Sequence, residues 1–255
     1  KINSKTKAII AVHIYGLPVD MDPILKLCKK YKLKLIEDAA EVIGQTYKKR
    51  QCGSFGDLST VSFYTNKHIT TGEGGMVLTD SSNLAKKSRE LRNLCFQPKK
   101  RFVHDSLGWN FRMSNIQAAL GVAQLEQLEK FVKKKRWIGK IYNSNLSKLR
   151  GVTLPLDKTN YAKNIYWIYG IVLKKETKMK ASDAIKKMNK LGIGCRPFFC
   201  PMHMQPIFKK MGLFKNEKYP VAETLYKNGF YVPSGLSLNK YKISTVSRAL
   251  FKIIN

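Results

Sequence analysis

The sequence predicts an α/β protein made of a large domain and a small one. Three features support this class: a strand–helix–strand pattern in residues 8–38, two strand-like segments around a polar loop in residues 58–79, and a change to short strands and helices after about Gly151. Alternating strands and helices are typical of a parallel sheet covered by helices. We expect the large domain to cover residues 1–140 and the small C-terminal α/β domain to cover residues 141–255.

The first three elements form one unit. Ala8–His13 is an apolar run typical of a strand, and Leu33–Asp38 is a second such run that ends in carboxylates. Between them, residues 20–31 have apolar side chains at helical spacing, and Asp20 or Asp22 is the expected N-cap. Because a strand–helix–strand connection of this kind makes the two strands parallel, we expect Asp38 at the carboxyl edge of the sheet.

A single lysine follows the next strand and has two interpretations. The apolar run Leu58–Phe63 leads into a loop that holds Lys67, and the turn Gly72-Glu73-Gly74-Gly75 leads into a second buried strand, Met76–Thr79. Lys67 is either a solvated loop residue or a partly desolvated amine at the carboxyl edge of the sheet, where α/β proteins place ligands. Desolvation lowers the pKa of a lysine and suits an amine that attacks a carbonyl carbon.

A capping box marks the start of a further helix. Ser114 and Gln117 have the spacing of such a box, and we expect them to open one long helix. The apolar stripe expected to face the core consists of Ile116, Ala119, Leu120, Ala123, Leu128 and Phe131. Later in the chain, the pattern predicts a strand over Tyr166–Leu173 and a helix that Ser182 caps.

The chain is strongly basic, which raises nucleic-acid binding as an alternative function. Lysine and arginine together number 47 against 17 acidic residues, so the formal net charge is +30. The basic residues are spread along the whole chain, and no arginine-rich or recognition-helix motif accompanies them. We therefore expect solvated lysine-rich faces and no nucleic-acid partner.

The cysteines and the hydropathy pattern predict a cytoplasmic protein. No apolar run approaches the roughly 18 residues that a membrane span needs, and no leader-like segment precedes a cleavage site. The five cysteines form no CxxC pair, which is typical of free thiols in a reducing compartment. We expect no metal site and no membrane partner.

An acid at one strand end and a lysine at another suit a pyridoxal phosphate enzyme. Lys67 can form a Schiff base with the cofactor aldehyde, and Asp38 can keep the pyridine nitrogen protonated, which makes the ring an electron sink. Ser62 can offer a hydroxyl to the cofactor phosphate. Alternatively, Asp38 is a strand-end acid that caps a nearby turn.

Four motifs in this order resemble those of the DegT/DnrJ/EryC1/StrS sugar aminotransferases. They are Glu37-Asp38-Ala39-Ala40-Glu41, Ser62-Phe63 with Lys67 five residues after the serine, Gly72-Glu73-Gly74-Gly75, and the run Gly108–Ala119. The resemblance covers essentially the whole chain. It implies the PLP-dependent transferase fold of type I, similar to aspartate aminotransferase, with a large domain over residues 1–140 that binds pyridoxal 5′-phosphate and lacks its N-terminal part.

The resemblance implies roles for five residues around the cofactor. Lys67 would bind the cofactor covalently and move protons, and Asp38 would pair with the pyridine nitrogen. Glu41, where many relatives have glutamine, would lie near the ring hydroxyl, and Ser62 would hold the phosphate. Asn110 would reach the cofactor phosphate of a neighbouring subunit, which implies a homodimer or a larger homo-oligomer.

The resemblance also implies the substrates. The family aminates nucleotide-linked keto sugars, usually with glutamate as donor, and we expect a GDP-linked 4-keto-6-deoxyhexose, with UDP- or dTDP-linked 4-keto-6-deoxyglucose as the alternative. Arg112 and His203 are expected on the substrate side, although His203 is equally well a packed loop histidine. A family dehydratase that uses pyridoxamine phosphate is a further alternative, but such relatives have histidine at the position of Lys67.

Overall fold

The computed structural model describes residues 1–97, 99–100 and 102–254. The chain divides into two compact units. The first contains Lys1–Lys133 and Lys158–Trp167, and the second contains Lys134–Asp157 and Ile168–Asn255. Among the described residues, no helix has both the length and the apolar character needed to cross a lipid bilayer.

The first unit combines a mixed sheet with helices. Its strands are β1 (Ala8–Val12), β2 (Lys34–Asp38), β3 (Thr46–Tyr47), β4 (Arg50–Gln51), β5 (Leu58–Ser62) and β6 (Gly75–Leu78). Its helices are α1 (Met21–Tyr31), α2 (Ser82–Arg92), α3 (Asn115–Leu125) and the first residues of α4 (Leu128–Leu146). The predicted single helix after Ser114 is therefore two helices, α3 and α4, separated by Glu126 and Gln127.

The main sheet of the first unit has the order β1-β2-β5-β6. Strands β1, β2 and β5 are parallel, with Ile10 opposite Ile36 and Ile36 opposite Leu58, whereas β6 is antiparallel to β5. The predicted parallel strand–helix–strand unit is thus confirmed. Because β1, β2 and β5 run in the same direction, the residues that follow them meet at one edge of the sheet.

Apolar packing and a side-chain hydrogen bond stabilise the first unit around this sheet. The core of the first unit contains Ala11, Met21, Leu35 and Tyr47, packed against partly buried residues of α1. Asp20 occupies the predicted N-cap position, but its side chain makes no capping hydrogen bond to α1. Instead, its Oδ1 accepts a hydrogen bond from the Tyr47 hydroxyl at 2.6 Å, which ties the start of α1 to β3.

The predicted burial of two apolar segments is wrong. On α3, Ile116 is 78% exposed and Leu120 is 53% exposed, because this helix turns a polar face toward the loop between β5 and β6. On β6, Met76 is 50% exposed, because β6 is an edge strand and the described residues place no apolar layer over that face. Leu128 and Phe131 of the predicted stripe are partly buried, as α4 approaches the first unit's interior.

The second unit is an antiparallel sheet with helices. Its strands are β7 (Val152–Thr153), β8 (Tyr169–Leu173), β9 (Arg196–Pro197) and β10 (Gly229–Val232), in the order β7-β8-β10-β9. Its helices, besides most of α4, are α5 (Ala181–Lys190), α6 (Pro206–Lys210), α7 (Pro220–Asn228) and α8 (Lys240–Ile254). The predicted cap Ser182 is wrong: α5 begins one residue earlier, and Lys180 occupies the N-cap position.

The core of the second unit encloses a lysine. Tyr142 of α4 and Tyr169 of β8 stack with their ring centroids 4.5 Å apart, and both are fully buried. Two turns earlier on α4, Lys135 is 6% exposed, and its Nζ donates hydrogen bonds to the carbonyl oxygen of Ser234 at 2.6 Å and to the Ser234 Oγ at 3.2 Å. Burial lowers the pKa of Lys135 to about 7.

Candidate active site

The carboxyl edge of the parallel strands gathers several polar residues. Asp38 is the last residue of β2, and Glu41 follows in the next turn. Lys67 lies in the loop between β5 and β6, and Tyr15 lies in the turn after β1. Three parallel strands therefore each contribute a residue to one edge, in the manner of ligand sites in α/β proteins.

Lys67 lies between a carboxylate and an aromatic ring. Its Nζ is 4.0 Å from Glu41 Oε1 and 3.9 Å from the ring centroid of Trp167. The side chains of Lys67 and Glu41 are each only 11% exposed. Lys67 is therefore not a solvated loop residue, and the structure agrees with the interpretation of a partly desolvated amine at the edge of the sheet.

Burial and charge act in opposite directions on this pair. Burial lowers the pKa of Lys67, while the nearby carboxylates of Glu41 and Asp38 act to raise it. Burial likewise raises the pKa of Glu41, against the hydrogen bond that its Oε2 accepts from the Tyr15 backbone N–H at 2.7 Å and against the charge of Lys67. Desolvation therefore favours the neutral form of each group, and a proton is more easily exchanged at Lys67 than at an exposed lysine.

Asp38 and Ser62 have hydrogen-bonding capacity left for a ligand. Asp38 Oδ1 accepts the backbone N–H of Ala40 at 3.1 Å, and among the described residues its second carboxylate oxygen accepts no hydrogen bond. Ser62 Oγ accepts the backbone N–H of Tyr64 at 3.3 Å, which leaves the hydroxyl proton available as a donor. The structure thus brings Asp38, Glu41, Ser62 and Lys67 to the same edge, as the sequence predicts.

Side-chain amides of α3 hold the lysine loop. Gln124 Oε1 accepts the Thr70 N–H at 3.1 Å, and Gln124 Nε2 donates to the Thr70 carbonyl at 2.7 Å. Gln117 Nε2 donates to the Glu73 carbonyl at 3.2 Å, and Gln117 also completes the predicted capping box with Ser114. The loop that contains Lys67 is therefore fixed to α3 through its backbone.

Asn110 and Arg112 lie on an exposed segment of the first unit. Arg112 Nε donates a hydrogen bond to Asn110 Oδ1 at 3.1 Å. Both side chains are exposed, and among the described residues no hydrogen bond or ion pair joins either of them to Lys67. Their predicted roles therefore stay predictions, and the exposure of Asn110 agrees with a role toward another subunit.

His203 belongs to the second unit, where it is buried. Its Nε2 lies 3.0 Å from Glu223 Oε1, and its ring meets that of Tyr219 edge-on with centroids 4.9 Å apart. Glu223 Oε1 also accepts the Tyr219 backbone N–H at 3.0 Å. These contacts favour the interpretation of a packed loop histidine, and the predicted substrate-side role of His203 stays a prediction.

His13, Glu37 and Cys52 form a compact buried group that resembles a metal site in composition. Their potential ligand atoms all lie within 4.8 Å of one another. However, His13 Nδ1 accepts the Val19 N–H, and Glu37 accepts hydrogen bonds from His13 Nε2 and from the backbone of Gly53 and Phe55. Burial raises the pKa of Cys52 to about 12, so its thiol stays protonated. We interpret this group as a buried hydrogen-bond network that joins the end of β1 and β2 to neighbouring loops.

Sequence reasoning missed Trp167, Tyr15 and Gln124. Trp167 falls within the apolar run that predicts the strand Tyr166–Leu173, but the strand begins at Tyr169, and Trp167 instead lies beside Lys67. The positive φ of 50° at Tyr166 accompanies this change of direction. The sequence shows a tryptophan just before a strand, but only the fold shows that Trp167 contacts Lys67.

Comparison with known proteins gives consistent results. The profile of the DegT/DnrJ/EryC1/StrS aminotransferase family matches residues 1–251. The chain is 36% identical to the GDP-perosamine synthase of Caulobacter vibrioides over 253 residues, which are 99% of this chain and 67% of the relative. It is 38% identical to the GDP-perosamine synthase of Escherichia coli O157:H7 over 253 residues, which are 98% of this chain and 66% of the relative.

The fold is similar to that of solved aminotransferases. Helicobacter pylori PseC, an aminotransferase involved in the biosynthesis of pseudoaminic acid, superimposes with a TM-score of 0.93 at 27% identity, over 99% of this chain and 68% of PseC. This similarity confirms the predicted type I fold of PLP-dependent transferases. The chain spans about two thirds of the length of the relatives it matches.

Proposed function

We infer the function of this chain from its family, because it belongs to the DegT/DnrJ/EryC1/StrS aminotransferase family. Its cofactor is pyridoxal 5′-phosphate, and its reaction is the transamination of a nucleotide-linked keto sugar at C4. The observation that carries this function in the structure is the half-buried amine of Lys67, which lies at the carboxyl edge of the sheet beside Glu41, with Asp38 on the adjacent strand.

The residues at this edge fit the cofactor. When bound, pyridoxal phosphate supplies an aldehyde that captures amines covalently and a protonated ring that withdraws electrons from the captured group. Asp38 has a carboxylate oxygen available to accept a hydrogen bond from the pyridine nitrogen and to stabilise its charge. Ser62 has a hydroxyl proton available for the phosphate, and Glu41, whose Oε1 lies 4.0 Å from Lys67 Nζ, would contact the ring hydroxyl.

Lys67 carries the covalent and the acid–base roles. Burial lowers its pKa, so a larger fraction of the amine is neutral and nucleophilic than at an exposed lysine. The same amine, once free, would move a proton between C4′ of the cofactor and C4 of the sugar. The dehydratase alternative is disfavoured because Lys67 occupies this place, whereas His68 is buried with its Nε2 at 3.5 Å from the Ile165 carbonyl.

We propose GDP-4-keto-6-deoxymannose as the sugar substrate, glutamate as the amino donor and GDP-perosamine as the product. The support is the naming of both reported relatives as GDP-perosamine synthases and their coverage of nearly the whole chain. The basic surface of the chain favours a diphosphate-linked substrate but does not select the base. UDP- or dTDP-4-keto-6-deoxyglucose is the rival substrate.

We further propose a cytoplasmic homodimer or larger homo-oligomer that serves lipopolysaccharide O-antigen biosynthesis. The five free cysteines agree with a reducing compartment. The exposed Asn110 and Arg112 support a site that a second subunit completes, with Asn110 reaching the neighbouring cofactor phosphate and Arg112 the substrate. Recovery of activity on mixing Lys67→Ala and Asn110→Ala subunits is the expected result. Heterodimers that stay inactive would show that each chain completes its own site.

Two measurements test the proposed function in the full-length enzyme. Borohydride reduction should fix the cofactor to the peptide that contains Lys67, and the adduct should be absent in Lys67→Ala. Each keto sugar is then supplied with glutamate, and 2-oxoglutarate and the amino sugar are followed by mass spectrometry. Turnover of only the glucose-configured sugar would replace the proposed substrate, and a label on another lysine would overturn the site.

A further inference from the structure

The indole of Trp167 is the second neighbour of the Lys67 amine. Trp167 is 4% exposed, and Lys67 Nζ lies 3.9 Å from its ring centroid. An ammonium over the face of tryptophan is attracted by the ring quadrupole, and this attraction is strongest at desolvated sites. The ring therefore adds to the stabilisation of the protonated form of Lys67 that Glu41 provides from 4.0 Å away.

The same indole also fixes the backbone of the lysine loop. Trp167 Nε1–H donates a hydrogen bond to the carbonyl oxygen of Asn66 at 2.9 Å, and Asn66 directly precedes Lys67. One side chain thus contacts both the start and the end of the lysine: its NH group holds the backbone before the residue, and its ring holds the terminal amine.

The turn after β1 supports both neighbours of the amine. The Tyr15 N–H donates to Glu41 Oε2, and the Tyr15 ring lies 6.1 Å from that of Trp167. Gly16 has φ +96°, and a Cβ at this position would lie 2.6 Å from the Trp167 backbone nitrogen. Only glycine allows the turn to approach so closely, so the carboxylate and the indole are fixed relative to each other through the same two residues.

We propose that Trp167 is a positioning residue that holds the free Lys67 ammonium beside Glu41 and fixes the loop at Asn66. This inference rests on the proposed function, in which Lys67 must leave and regain its covalent bond in every cycle. A lysine side chain without such contacts loses considerable rotamer entropy each time it returns to one place. Trp167 limits the positions of the free amine and acts on the reaction through Lys67.

The second unit provides a matched control. Lys134 Nζ lies 4.0 Å from the ring centroid of Trp137, so this pair has nearly the same separation as Lys67 and Trp167. Both partners are partly exposed and lie on α4, outside the candidate site. Replacement of Trp137 therefore removes a lysine–tryptophan contact of similar length, in a more exposed setting, from outside the candidate site.

The experiment measures how fast Lys67 is acetylated by trace acetic anhydride as a function of pH. The full-length protein is freed of cofactor, and the variants are Trp167→Phe and Trp167→Met. Both lack the Nε1–H, but only phenylalanine keeps a ring face, and the carboxylates that face the amine, Glu41 and Asp38, are the same in both. We expect the pH at which Lys67 acetylation reaches half its maximal rate to be lower in Trp167→Met than in Trp167→Phe, by roughly half a pH unit to one pH unit.

Turnover of the loaded enzyme gives the second readout. Both variants should turn over more slowly than wild type because both lack the Nε1–H, kcat of Trp167→Met should be about tenfold below that of Trp167→Phe, and KM for the sugar should be similar in both. Equal acetylation midpoints in the two variants would overturn the proposal, as would the same Lys67 shift in Trp137→Met. Because acetylation is measured without cofactor, a midpoint shift together with a borohydride adduct on another lysine would refute the proposed function and leave the Trp167–Lys67 contact established.

Discussion

Two lysines of this chain lose most of their hydration, one in each unit, and they differ in what surrounds them. Lys67 has two carboxylates and an indole as neighbours, at the open edge of a parallel sheet. Lys135 is more deeply buried and donates to the carbonyl and hydroxyl of Ser234, and burial alone lowers its pKa to about 7. The lysine with the stronger shift is thus the one at no predicted site.

The difference shows that a perturbed pKa does not by itself identify a catalytic residue. Desolvation acts on any buried amine, whether the surroundings are a site or a core. Lys67 differs from Lys135 in two respects. Its neighbours Glu41 and Asp38 are titratable carboxylates, and it lies at the carboxyl ends of parallel strands. Lys135, by contrast, donates hydrogen bonds to the carbonyl and hydroxyl oxygens of Ser234, which do not titrate near neutral pH.

The largest expected effect is on turnover, when Lys67 and Lys135 are replaced one at a time. Lys67→Met should lower turnover by about 10²–10⁴-fold, because a positioned acid–base group contributes that much. Lys135→Met should keep turnover within a few-fold of wild type, since its amine takes no part in the reaction. Steady-state rates of amino-sugar formation in the two variants measure this directly. A folded Lys135→Met that is as inactive as Lys67→Met would remove the distinction between the two lysines.

The next largest effect concerns stability and pH. Burial lowers the pKa of Lys135 to about 7 in the folded state from 10.5 for an unperturbed lysine, so the unfolded state binds more protons between these two pH values. Stability therefore rises with pH through this window, by at most about 1.4 kcal/mol per pH unit from this group. Below pH 7 both states are protonated, and the group contributes no slope.

Urea unfolding of the wild type and Lys135→Met at several pH values measures this contribution. The wild type should gain stability relative to Lys135→Met as the pH rises from about 7 toward 10, while Lys67→Met should show a smaller difference because Glu41 and Asp38 oppose its shift. Parallel pH profiles for wild type and Lys135→Met would show that Lys135 titrates as an ordinary lysine.

The smallest effect tests the carboxylate beside Lys67. Glu41→Gln keeps the shape of the side chain but removes a charge 4.0 Å from Nζ, so the pKa of Lys67 should fall further. We expect the midpoint of Lys67 acetylation to drop by about one pH unit. Asp57→Asn is the matched control, because Asp57 pairs with Lys34 at 2.8 Å on the surface, where solvent screens the charge. An equal shift at Lys34 would mean that burial does not strengthen the Glu41–Lys67 interaction.

The edge of the parallel sheet was predictable because strand order and side-chain chemistry are both local in the sequence. The run ending in Asp38 and the run preceding Lys67 show their strand character directly, and parallel pairing places their ends together. Ser62 follows from its place at the end of the run before Lys67, whereas Glu41 was identified through the resemblance to the family. The role of Glu41 likewise comes from the resemblance to the family, not from the residue pattern.

The wrong predictions arise where the sequence pattern does not determine which face of a helix packs against the rest of the protein. The apolar spacing of α3 predicts a buried stripe at Ile116 and Leu120, but Gln117 and Gln124 bind the loop backbone and turn the helix the other way. Trp167 was missed for a related reason, because its partner Lys67 is remote in sequence. Contacts between distant segments leave no periodic signal.

The pairing of Gln124 with Thr70 makes this loop sensitive to chemical ageing. The side-chain amide of Gln124 imitates a peptide group, since it both accepts from and donates to the backbone of one residue. Deamidation would leave a carboxylate of nearly the same shape that has no N–H, so its oxygen would face the Thr70 carbonyl and repel it. In a stored preparation, the rate of cofactor capture should therefore fall in proportion to the fraction of Gln124 that has been deamidated, which peptide mapping can quantify. If fully deamidated protein captured cofactor at an unchanged rate, the amide would be dispensable.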